Sequence, residues 1–162
     1  MKSYDRVKNF STSVSVSKTI TEIEKMLTKY GATHILKEYD AEGRPIVLIF
    51  SIMTEHGKMG IRLPLNPSKV LSVFKKQVSN NLLPRKYWDG DWAEQQAHRV
   101  GWRIIKDWLD AQITLLNIEM VKIEEIFLPY IYNEKLGMTI YEMLDQGKFN
   151  LDLLEAPDAK KN

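Results

Sequence analysis

Apolar residues recur along this chain with two periods, helical and alternating, and the switches between them mark the expected elements. Val14 and Val16 alternate with Ser13, Ser15 and Ser17. A short edge strand fits that alternation, but residues 1–17 carry few apolar groups, and a flexible N-terminal arm is favoured. From Lys18 the pattern turns helical. Ile20, Ile23, Leu27 and Tyr30 share a face, Thr19 and Glu22 stand in capping-box relation, and Gly31 offers a left-handed stop.

Three strand-like runs follow, at 33–39, 45–53 and 59–63, separated by turns containing Asp40, Glu42 and Gly43, then Glu55, His56 and Gly57. This predicts two consecutive hairpins. Asn66 and Pro67 open a second helix as cap and first helical residue, with Val70, Leu71, Phe74 and Val78 as its stripe.

Residues 80–91 read as a loop holding Pro84, Trp88 and Gly90, and the longest helix runs from about Trp92 to Met120. Ala97, Val100, Ile104, Trp108, Ala111, Leu115 and Ile118 trace its stripe, which Trp102, Ile105, Leu109, Leu116 and Met120 widen. A face that broad must be buried, on the sheet or on a second copy of the chain, so a homo-oligomer through this helix is plausible. Gly101 costs about 1 kcal/mol relative to Ala within a helix, which suggests a close helix crossing. Beyond it lie an apolar cluster at 126–131 broken by Pro129, and a short helix capped by Thr139 and Glu142 and ended by Gly147.

The expected fold class is therefore α+β: helix, three-stranded antiparallel sheet, helix, then a long helix and a helical C-terminal region. The expected divisions are a flexible arm over 1–17, an α-β-β-β-α sheet domain over 18–83, a long helix and C-terminal helical region packed on it over 84–150, and a frayed tail over 151–162.

Composition narrows the chemistry. With 162 residues, 44% of them hydrophobic and 27% charged, the chain suits one globular unit with a helical appendage. It has no cysteine, which excludes disulfides, thiolate metal sites and cysteine nucleophiles and fits a reducing compartment. No apolar run of about eighteen residues occurs, and the N-terminus lacks the apolar core of a signal peptide. A cytoplasmic protein with no membrane partner is expected, in the host cytoplasm if a phage encodes it.

Charge is unevenly distributed. The formal net charge is +2, yet residues 58–106 carry +7, residues 107–162 carry −6 and the first 57 residues +1. A basic middle attracts phosphate backbones or acidic partners. The candidate nucleic-acid-binding residues are Lys69, Lys75 and Lys76 on the second helix, Arg85 and Lys86 in the loop with Tyr87 and Trp88 as a base-stacking platform, and Arg99 and Arg103 on the long helix. The bland alternative is a solvated face whose cations pair internally, as the i, i+4 spacings of Lys106 with Asp110 and Arg103 with Asp107 allow.

Other chemistry is thin. His34, His56 and His98 lack metal-ligand spacing and an accompanying carboxylate cluster, so neither a metal nor another cofactor is expected. Glu55, His56 and Lys58 sit at a hairpin tip, where nothing walls off water. The order of elements also matches the start of many metal-dependent nucleases, but no acid lies within the 46–53 run and no Glu-x-Lys triplet falls on the sheet. No phosphate-binding glycine loop, nucleophile elbow or zinc-protease helix occurs. No enzyme is expected.

The stretch from Val100 to Gln112, the run Glu125-Ile126-Phe127-Leu128-Pro129-Tyr130, the run Thr139-Ile140-Tyr141-Glu142 and Lys29-Tyr30-Gly31-Ala32-Thr33 together resemble a family of small uncharacterised proteins encoded by bacteriophages and prophages. The resemblance runs from about Lys18 to Gln146 and transfers no site residues. It implies a viral origin and an intracellular setting. Two functions gain weight: a non-catalytic nucleic-acid-binding or accessory protein of phage DNA metabolism, and an effector that inhibits a host protein, for which the acidic C-terminal block is the natural surface.

Overall fold

The computed structural model describes residues 5–147. Its first helix, α1 (Val16–Tyr30), starts one turn before the Thr19–Glu22 pair that the sequence suggests as its cap. Ser15 is the cap, its hydroxyl accepting from the Lys18 N–H at 3.2 Å. Thr19 sits inside the helix, fully buried, because the helix face carrying Ile20, Ile23 and Leu27 is pressed onto the core. Gly31 ends the helix at φ 115°, and its N–H returns to the carbonyls of Leu27 and Thr28.

Strands β1 (His34–Tyr39), β2 (Pro45–Thr54) and β3 (Gly57–Arg62) form an antiparallel sheet in sequence order. The Asp40 carboxylate shapes the first turn by accepting from the N–H groups of Glu42 and Arg44. Alternation sorts the faces of β2. Leu48, Phe50 and Ile52 join Ile61 and Leu63 in the core under α1, whereas Met53 projects to solvent. Asn66 and Pro67 open α2 (Pro67–Ser79) as expected, Asn66 Oδ1 accepting from the Lys69 N–H.

The long helix α3 (Asp91–Asn117) organises both halves of the core. Trp102, Ile105, Leu109 and Leu116 join the sheet and α1, while Ala97 and Val100 join Phe74 of α2, Leu83 and Tyr87. The buried stripe is thus rotated from the expected one. Ala111, Ile118 and Met120 are exposed, and the indole of Trp102 is fully buried with its N–H donated to the Pro45 carbonyl at 3.0 Å. The part of the broad face that carries Ala97, Val100, Trp102, Ile105, Leu109 and Leu116 is covered by the chain's own sheet and helices. Gly101 lies where the entry to α2 presses closest: a Cβ there would stand 3.3 Å from Leu65 Cδ1.

After α3, α4 (Ile123–Phe127) and a 3-10 turn at Leu128–Tyr130 bring Phe127 under Phe50 and Trp108. Ile131 bridges to Ile61 and extends the sheet at its β3 edge. A small hairpin, β4 (Tyr132–Asn133) with β5 (Met138–Thr139), leads to α5 (Ile140–Asp145), which Thr139 and Glu142 cap reciprocally. The tail expected over 151–162 lies outside the described residues.

Residues 5–14, expected to be a flexible arm, lie along α2 and α3. Gln77 donates to the Asp5 carbonyl at 2.8 Å and accepts from the Val7 N–H. Gln96 donates to the carbonyls of Phe10 and Thr12 at 2.8 and 3.0 Å. Both amides are buried, and a buried amide needs partners that helix neighbours cannot supply. The extended segment supplies them, and Phe10 adds a ring contact with Tyr87 at 6.2 Å.

Candidate nucleic-acid interface

The loop between α2 and α3 is held by one aromatic anchor. Tyr87, in a 3-10 turn at Arg85–Tyr87, is 4% exposed and meets Phe74 and Trp92 edge-on at 5.0 and 4.9 Å. Its hydroxyl donates to the Phe10 carbonyl, and burial raises the phenol pKa despite the opposing charges of Arg6 and Arg99. Tyr87 is therefore a structural post and not the stacking surface its sequence neighbours suggested.

Anchoring Tyr87 turns its neighbours outward. The Lys86 ammonium stands 4.5 Å from the Trp92 ring centroid, and the Arg85 guanidinium stands 5.1 Å from that of Trp88. Each is a cation held over an indole face, an arrangement worth about 0.5–1 kcal/mol at an exposed site. Trp92 remains 40% exposed.

Beside this pair lies a hollow of about 330 Å³, with Lys86 and Arg99 as its cations and Ser11, Thr12 and Ser13 on its wall. Arg99 donates Nε to Gln96 Oε1 at 2.8 Å, which fixes the guanidinium while engaging one of its five donors. The same Gln96 amide holds the serine-bearing segment, so one side chain aligns both walls. Hydroxyls, an ammonium and a guanidinium around an exposed indole form a set able to grip phosphate and stack a base.

The remaining candidates separate. Lys69, Lys75 and Lys76 are exposed on α2, but the helical rotation of about 100° per residue splays Lys75 from Lys76. Arg103 is half-buried and engaged elsewhere, donating to Glu22 of α1 at 2.5 Å and towards Thr19. Its expected partner Asp107 instead accepts from Asn9 and Lys8 at 3.0 and 3.1 Å. Burial alone would raise the Asp107 pKa, but these two donors hold it below the usual carboxylate range. Lys106 does pair with Asp110, at 3.4 Å.

Trp92 and the hydroxyls of residues 11–13 were not singled out by the sequence as site residues. The one hint was the position of Trp92 two residues after Gly90, whose φ of 86° turns the chain into α3. Among the described residues no three His, Asp or Glu side chains converge as a metal site, and no helix is long and apolar enough to cross a membrane.

Comparison with protein-family models, curated proteins and solved structures gave no match.

Proposed function

We propose that this protein binds nucleic acid without catalysing a reaction on it, through the hollow between residues 11–13, the Arg85–Trp88 loop and the first turns of α3. The observation that carries the reading is the Lys86–Trp92 pair at the rim, with Arg99 facing the same hollow. Phosphate attraction needs cations, and among the described residues Lys86 and Arg99 have no ion pair; base stacking needs an exposed aromatic face, and Trp92 is adjacent to both. The reach of the site is short, a few nucleotides, with Arg85 over Trp88 as its continuation. Single strands suit it better than a duplex, whose bases are stacked on one another and offer no free face to Trp92. The resemblance to phage-encoded proteins supports a setting in phage DNA metabolism within the host cell.

Fluorescence anisotropy with labelled single- and double-stranded oligonucleotides tests the proposal. Binding at low salt, stronger for the single strand and falling steeply as salt is added, is the expected result. Absence of an anisotropy change for both oligonucleotides at low salt would falsify it.

A further inference from the structure

A second hollow occupies the far end of α3, about 30 Å along the helix from the first, as Gln96 lines one and Leu116 the other. It measures about 600 Å³ and lies between the β2–β3 tip, the end of α3 and the turn into α4. Its floor includes Leu116, Val121 and Ile123, and Met53 stands at its edge 67% exposed. Met120 and Ile118, 68% and 59% exposed, follow the last turn of α3 beside it. A smaller hollow of about 230 Å³, with Met26 and Ile113 in its wall, adjoins the 600 Å³ one at Tyr30, which lines both, and the pair is termed the groove.

The electrostatics of this groove are negative from two sources. Glu55, Glu119 and Glu124 line the larger hollow against Lys122, which already pairs with Glu55 at 3.4 Å, and Asp110 lines the smaller one against Lys29. The carbonyl ends of two helices also converge here, since α1 stops at Tyr30 and α3 at Asn117. Lys29 in the last turn of α1 offsets that end, whereas the last turn of α3 carries no basic residue. Helix C-termini favour cations by about 0.3–1 kcal/mol each. An apolar floor with Met53 at its edge, set between acidic groups, accepts an apolar stripe flanked by Lys or Arg.

We propose that this groove docks a cationic amphipathic helix of another protein. Nucleic acid is repelled by the carboxylates. Among the described residues, α2 of a second copy does not offer the required stripe, because its exposed lysines are interspersed with Ser68, Ser72 and Ser79 rather than with exposed apolar groups. This inference is independent of the nucleic-acid reading, which concerns the other end of α3.

The probe is a Leu/Lys amphipathic helix of about five turns, with a Leu/Glu peptide of the same apolar face as control. The full chain, labelled at its methionine methyls, is titrated with each. The Leu/Lys peptide is expected to shift the methyls of Met26, Met53 and Met120 and to bind at least about tenfold more weakly to a Glu119→Lys/Glu124→Lys variant. Met53→Ser, at an exposed site that leaves the fold intact by circular dichroism, is expected to weaken it as well. Equal binding of the Leu/Glu peptide, or methyl shifts confined to residues outside the groove, overturns the proposal. So do methyl shifts that follow protein concentration without peptide, which would make the groove an interface between copies.

Discussion

Arg103 of α3 reaches Glu22 of α1 at 2.5 Å, and the two side chains, 21% and 32% exposed, tie the long helix to the first. Their ion pair removes Arg103 from the basic surface and makes it a strut.

The first prediction separates strut from site. Arg103→Glu is expected to lower unfolding free energy by about 2 kcal/mol, as for loss of a charged hydrogen bond. Lys86→Glu, which removes only cation–ring contacts, should lower stability by no more than about 1 kcal/mol while weakening oligonucleotide binding. If Arg103→Glu unfolds at the wild-type midpoint, the strut assignment is wrong.

Gly101 gives the second. Any side chain there must displace Leu65, 3.3 Å from the position of a Cβ, and Val70 stands at 3.7 Å. Gly101→Val should destabilise the fold by about 1–3 kcal/mol through overpacking, despite leaving glycine's poor helix propensity behind. Thermal unfolding that rises in temperature would contradict the close crossing.

His98 gives the third. It is 8% exposed, its Nδ1 has no hydrogen-bond partner among the described residues, and its pKa is lowered by burial first and by Arg44 second. The unfolded histidine titrates near pH ~6.5. Below that value the unfolded chain takes a proton that the folded chain refuses, so stability falls with falling pH until the folded pKa is passed. Between about pH 7.5 and about pH 5.5, wild type should lose more stability than His98→Leu, which cannot titrate. Parallel loss in the two proteins would remove His98 as the cause.

The fourth concerns the docked N-terminal segment. Gln96→Leu leaves the Thr12 carbonyl without that donor, at a cost of about 1–3 kcal/mol, while the Phe10 carbonyl keeps the Tyr87 hydroxyl. Cleavage of residues 5–14 by a protease should become faster, and oligonucleotide affinity should drop because residues 11–13 no longer hold the wall. Unchanged cleavage would mean that Gln96 does not retain the segment.

Much of the architecture was legible because local signals agreed with tertiary needs. Asn66-Pro67, Gly31 and the Thr139–Glu142 box each satisfy backbone groups within a few residues, and each appears where the pattern put it. Two features were not legible, for the same reason. Thr19 and Glu22 obey the capping spacing, yet Glu22 is engaged by an arginine 81 residues away. The polar run at 5–14 looks untethered because its partners, Gln77 and Gln96, are distant amides whose need for acceptors arises only on burial. The basic loop was found from charge alone. Which of its aromatics faces outward depended on Tyr87 finding Phe74 and Phe10, contacts with no local signature.

The most direct test of the nucleic-acid reading is the salt dependence of single-strand affinity for wild type and Lys86→Ala. If the Lys86 ammonium contacts a phosphate, the logarithmic slope against salt should shrink by about one charge equivalent (about 0.7 for a single strand). An identical slope in the two proteins, at whatever affinity, would contradict the placement of nucleic acid at Lys86 and Trp92.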